Sequence, residues 1–83
     1  MTDKRLQVFA VAARQLSFVK TAKILGISQP AVSKHIALLE KELGGALFLR
    51  ISQTLVLTKK GEELLEIADK ILALYQSIDN LKD

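Results

Sequence analysis

The spacing of apolar residues changes period twice along the chain, and each change predicts a new element. Leu6, Phe9, Ala13 and Leu16 recur at helical spacing, and Asp3 stands where it can cap a first helix running to about Arg14, with those four residues facing the core. Ser17 caps a second, shorter helix that stops near Leu25 at Gly26, its inward residues being Phe18, Ala22 and Leu25. Ser28 caps the third. Pro30 falls in its first turn, where no intrahelical N–H is lost, and Ile27 and Val32 occupy the two positions of a hydrophobic staple. With Val32 at zero and an advance of about 100° per residue, Ile36, Leu39 and Leu43 lie within about 40° of it, whereas Pro30, Ser33, Lys34, Ala37 and Lys41 cluster roughly opposite. The outward face is compact, hydrogen-bonding and positive, a form suited to the major groove of DNA.

Gly44 and Gly45 stop the third helix, and the period then shortens to two. Leu47, Leu49 and Ile51 alternate with Phe48 and Arg50, and a polar Ser52-Gln53-Thr54 separates them from Leu55-Val56-Leu57. This predicts a two-stranded wing packed on the helices through Phe48 and the leucines beside it, because a lone hairpin is marginal in water. Thr58 caps a last helix reaching to about Leu81, roughly 36 Å long. Its residues Leu64, Ile67, Ile71, Leu74, Ile78 and Leu81 form an a/d seam, and Leu65, Ala68, Leu72 and Tyr75 form a second stripe beside it. Two apolar stripes need two partners, the chain's own core and a second copy of the chain. The fold class is therefore mainly α: a winged helix-turn-helix of three helices and a two-stranded wing, over residues 1–58, followed by a long linker and dimerisation helix over 59–83.

Composition sharpens this picture. At 83 residues the chain holds one small domain, and its 49% apolar content implies surface covered by a partner. It has no cysteine, which excludes a disulfide scaffold and a thiolate zinc site and fits a reducing cytoplasm. Lys4 and Arg5 ahead of an apolar run superficially resemble a secretory leader, but Gln7 interrupts a run already too short, and no stretch approaches the roughly 18 apolar residues of a membrane span. Charge is asymmetric: residues 1–61 hold ten Lys or Arg against three acids, and residues 62–83 hold two against six. A basic head is drawn to phosphate and an acidic tail is held away from it.

The string Ser17-Phe18, Ala22, Leu25, Ser28-Gln29-Pro30-Ala31-Val32-Ser33, Ile36, Leu39-Glu40, Leu43-Gly44, Leu47-Phe48, Arg50, Leu57-Thr58 and Gly61 resembles the N-terminal winged helix-turn-helix of LysR-type bacterial transcription regulators. The resemblance covers nearly the whole chain. It implies a cytoplasmic DNA-binding regulator, a homodimer through antiparallel linker helices, and binding to an interrupted palindrome with the recognition helix, residues 28–43, in the major groove. It implies Gln29, Pro30, Ser33 and Lys34 as groove-facing residues, with Ser17, Lys20, Arg50 and Gln53 also at the DNA. By their chemistry, Gln29 suits adenine, Pro30 a thymine methyl, and Ser33 a base or phosphate; Lys34 suits guanine or the backbone. For Arg50 the alternative is an internal ion pair with a glutamate, and His35 is expected on the flank of the helix.

The chain also departs from the family. Lys34 stands where arginine is common, and Val19 replaces a usual hydroxyl residue. The wing tip offers Gln53 and Thr54 where a basic residue usually enters the minor groove, which predicts weaker A·T-biased recognition. LysR-type regulators continue into a large C-terminal domain that senses a small molecule, so any effector is expected to act through a domain outside these residues.

With no cysteine, one histidine, no phosphate-cradling glycine loop and no metal-spaced cluster, the chain carries no expected catalytic residue, metal or cofactor. A winged-helix module making only protein contacts is the alternative function, since fold alone does not dictate function.

Overall fold

The computed structural model describes residues 3–82; Met1, Thr2 and Asp83, at the outer bounds of the expected head and linker, lie outside the described residues. Four helices and one hairpin follow in the order α1 (Lys4–Gln15), α2 (Phe18–Leu25), α3 (Gln29–Leu43), β1 (Phe48–Ile51), β2 (Thr54–Leu57) and α4 (Lys59–Asp79). Each helix begins at the residue whose side chain can accept an orphan N–H. Asp3 accepts from the Leu6 amide, Ser17 from Lys20, Ser28 from Ala31 and Thr58 from Gly61.

The core gathers where the helices cross. Val8, Phe9 and Ala12 of α1 are buried, with Ala22 of α2, Val32, Ile36 and Leu39 of α3, Leu47 and Phe48, Leu55 of β2 and Ala68 of α4. Because α1 packs against α2, α3 and α4, more of its circumference is covered than one helical stripe. Val8 and Ala12 are thus buried beside the expected Phe9 and Ala13. Leu16 corrects the expectation that it faces the core. It is the left-handed residue that ends α1, with φ 49°, so it leaves the helical projection and its side chain is exposed. Thr21 of α2 is also fully buried, which its hydroxyl tolerates by donating to the Ser17 carbonyl oxygen at 2.7 Å.

At the far end of α3 a second expectation fails. Leu43 follows the angular pattern of Val32, Ile36 and Leu39, yet it is 42% exposed, because the packed part of the bundle stops one turn earlier. There Lys60 Nζ donates to the Leu43 carbonyl oxygen at 2.8 Å, placing a cation against the negative end of the helix.

The wing is antiparallel, with Phe48 opposite Leu57 and Ile51 opposite Thr54. Its loop is the pair Ser52-Gln53, Thr54 having joined β2, and both residues have positive φ, 49° and 66°. That is the backbone of a type I′ turn, which favours Asn-Gly; here two ordinary side chains hold it. The expected packing through Phe48 is present, but of the leucines beside it only Leu47 shares it. The Phe48 ring meets Phe9 at 5.7 Å and Phe18 edge-on at 5.4 Å, anchoring the hairpin. Leu47 is buried beside it, but Leu49 and Ile51 are 50% and 58% exposed.

Three groups tie wing to α4. The Thr58 amide donates to the Leu47 carbonyl oxygen at 3.0 Å, the Thr58 hydroxyl donates to the Ala46 carbonyl oxygen at 2.7 Å, and Gly61 is buried directly beneath. Leu64 and Leu65 pack on the core, and beyond Ala68 the helix leaves the head. Its 21 residues span about 32 Å of a molecule measuring 48 × 25 × 19 Å. It ends at Asp79, short of the expected Leu81. Tightened bonds from the Leu81 and Lys82 amides to the Ile78 and Asp79 carbonyl oxygens close the last turn, which itself holds no basic residue. Leu81, the last residue of the expected seam, therefore lies outside the helix and is 81% exposed.

Candidate nucleic-acid interface

α3 has a buried side, Val32, Ile36 and Leu39, and an exposed side whose first turns carry Gln29, Pro30, Ser33 and Lys34. The side chains of these four make no hydrogen bond or ion pair among the described residues, so their polar groups face solvent uncommitted. The buried side fixes the height of the helix above the core, and the Ser28 cap with Pro30 fixes where it begins.

Beside this face lies a cleft of about 470 Å³ lined by Ser17, Phe18, Gln29, Arg50, Gln53 and Thr54, among others. It brings the start of α2, the start of α3 and the wing tip to one side of the molecule. A smaller groove, about 240 Å³, runs between α3 and the wing and joins Ser33 to Arg50. Of the expected residues, Pro30, Lys20 and Lys34 line neither. Lys20 is exposed in the first turn of α2, and its backbone amide donates to Ser17 Oγ at 3.1 Å, which leaves the Ser17 hydroxyl proton free to donate outward. His35 sits half-buried on the flank, its Nδ1 buried without a hydrogen-bond partner.

Among the described residues Arg50 forms no ion pair with a glutamate. Its Nη1 donates to the Gln53 carbonyl oxygen at 3.4 Å, so the guanidinium leans along the wing toward its tip with its charge uncompensated. Glu40, which lines the small groove with Arg50, is engaged elsewhere, accepting from the Leu47 amide at 2.8 Å.

Electrostatic sorting of the head is a feature the charge count alone did not resolve. Arg5 pairs with Glu42 at 3.2 Å and Arg14 with Asp69 at 2.7 Å, while Lys60 serves the end of α3. The hydrogen bond to Asp69 raises the Arg14 pKa above its ordinary value. Lys20, Lys23, Lys34, Lys41 and Arg50, by contrast, have no acidic partner among the described residues. Arg5 also lies 4.0 Å from Asp3, but its shorter pair, with Glu42, and the pair of Arg14 span 37 and 55 residues, which local sequence does not mark. Thr54 of the wing tip joins the large cleft and Ala37 of the outward face joins the small groove, where sequence reasoning had passed over Leu49. The face presents donors, acceptors and positive charge around the cleft and the groove.

Among the described residues no helix is long and apolar enough to cross a membrane. The same residues contain no group of three or more His, Cys, Asp or Glu able to hold a metal ion.

Comparison with known proteins agrees with the geometry. The chain is 48% identical over 74 residues to the HTH-type transcriptional regulator BudR of Klebsiella aerogenes, covering 89% of this chain and 52% of that protein. It is 44% identical over 72 residues to the HTH-type transcriptional regulator CfxR of Cupriavidus necator, covering 87% of this chain and 23% of that one. The chain thus spans about half the length of the first relative and less of the second. Among solved structures, the BenM DBD/catB site 1 DNA complex superposes with a TM-score of 0.89 at 32% identity, covering 98% of this chain and 90% of that chain. Residues 4–62 match the family model described as bacterial regulatory helix-turn-helix protein, lysR family. An α3 held by its apolar side with its polar side outward, a wing beside it and this match over most of the chain lead to one assignment: the chain belongs to the lysR family of bacterial regulatory helix-turn-helix proteins.

Proposed function

We propose that this chain binds double-stranded DNA sequence-specifically in the cytoplasm to regulate transcription, acting as a homodimer on an interrupted palindrome. The observation that carries the reading is the uncommitted polar face of α3, Gln29, Pro30, Ser33 and Lys34, backed by buried Val32, Ile36 and Leu39. A helix held this way enters the major groove with its N-terminal residues at base edges. In this reading Ser17, Arg50 and Gln53, which line one cleft, meet the flanking DNA, and exposed Lys20 adds a charge for phosphate. Support also comes from the DNA complex among the structural neighbours. In this reading the head, residues 1–58, contacts DNA, and the helix from 59 onward pairs with a second copy through Leu64, Ile67, Ile71, Leu74 and Ile78, with Leu81 just beyond the helix end. Any effector acts through a further domain.

Selection of bound sequences from a random duplex pool is expected to return two inverted half-sites with a fixed gap, and affinity for them is expected to fall steeply with salt. Equal binding to unrelated duplexes, or no binding at low salt, would reject the regulator reading in favour of a module for protein contacts. The wing makes a separate prediction. Gln53→Arg should steepen the log–log salt slope by roughly 0.9 for each new phosphate contact, measured on the selected duplex. An unchanged slope would show that the wing tip does not reach DNA.

A further inference from the structure

We infer that Ala37, in the middle of the exposed face of α3, reads the C5-methyl group of a thymine in the major groove; this inference rests on the DNA-binding reading above. With Val32 at zero, Ala37 stands at about 140°, between Ser33 at about 100° and Pro30 at about 160°, and Lys41 follows at about 180°. Its side chain is exposed, and it lines the groove that also holds Ser33 on its own helix and Leu49 and Arg50 on the wing.

The chemistry of that position is narrow. Ser33, Lys34 and Lys41 around it carry a hydroxyl or a charge, whereas Ala37 has only a methyl group and can neither donate nor accept a hydrogen bond. It therefore cannot discriminate guanine, cytosine or adenine by their donor and acceptor edges. Thymine alone among the bases presents an apolar group in the major groove, and methyl against methyl removes water from both. Leu49, on the opposite lip of the groove, adds a second exposed apolar side chain to a lining that is polar at Ser33, Glu40 and Arg50. A side chain this small also lets the helix backbone lie close to the bases. Ala37 is one turn beyond Ser33, about 6 Å along the axis, which puts its thymine one or two base pairs from the base that Ser33 meets.

The test uses the whole chain and the duplex selected above, with each thymine replaced singly by deoxyuridine, a change that removes only the methyl. The wild-type chain should lose about fourfold in affinity at one thymine per half-site, the worth of one buried methyl-sized group, and Ala37→Gly should be indifferent to that replacement. Because glycine weakens a helix, Ala37→Ser runs beside it. It keeps the size, adds a hydroxyl and should lose the same discrimination. A thymine read by Pro30 would show its own sensitivity, unchanged in both variants. If no thymine separates the wild type from the Ala37 variants, the inference is overturned while palindrome binding stands; if no duplex is selected at all, the functional reading fails with it.

Discussion

Replacing Gly61 by alanine is expected to lower the unfolding free energy by about 3 kcal/mol, although in most helices the same change stabilises by up to about 1 kcal/mol. The sign reverses because of where α4 begins. A Cβ built on Gly61 would overlap the Leu47 carbonyl oxygen and stand 2.8 Å from Leu57 Cδ2. The leucine side chain can shift, but the carbonyl cannot, since it accepts the Thr58 amide at 3.0 Å and belongs to the segment that leads into the wing. Relief therefore requires the first turn of α4 to lift away, with loss of the Thr58 contacts to Leu47 and Ala46. Urea unfolding at fixed protein concentration should show a lower midpoint with an unchanged slope. A midpoint shift worth less than about 0.5 kcal/mol, the ordinary range of surface substitutions, would mean that α4 is not seated as described.

Leu74→Glu should do the opposite, sparing the fold and damaging the proposed function. Leu74 lies on the projecting part of α4 and is 66% exposed, so a carboxylate there remains hydrated in a single chain and unfolding should change little. In a pair of α4 helices the same position is at the middle of the seam, where two opposed carboxylates would be desolvated and repel. Affinity for a duplex with both half-sites should fall by about 100-fold or more, because the second head no longer binds at the effective concentration set by the first, while affinity for a single half-site stays the same. Sedimentation should report monomers. A variant that remains dimeric and binds both half-sites as tightly as the parent chain would place the pairing surface elsewhere.

Local chemistry was readable in the sequence wherever one side chain decides an outcome. Asp3, Ser17, Ser28 and Thr58 each cap the helix they precede, and Gly26 and Gly44 end theirs with φ of 67° and 73°. The polar face of α3 was readable for the same reason, since a helix with apolar residues on one side has only one way to turn. Extent was less readable. An angular pattern tells which way Leu43 points but not that its neighbours have ended, and it places Leu16 on a helix that a left-handed residue has already stopped. In the wing, alternation predicted which residues share a face, whereas burial depended on how much of that face the rings of Phe9 and Phe18 cover; Leu49 and Ile51 fall outside it. The shared cleft of Ser17, Gln29, Arg50 and Gln53 joins segments far apart in the chain. It forms only once α2, α3 and the wing have been packed together.

Leu47 has a mechanical consequence. Its amide is held by Glu40 of α3, its carbonyl oxygen by Thr58 ahead of α4, and the next residue opens β1. Three elements thus share one residue, and the molecule has a joint with no swivel. A twist imposed on the projecting rod is delivered to the head rather than absorbed between them, so in the proposed dimer the distance between two coupled heads would be set by stiffness and would tolerate little error in the spacing of their targets.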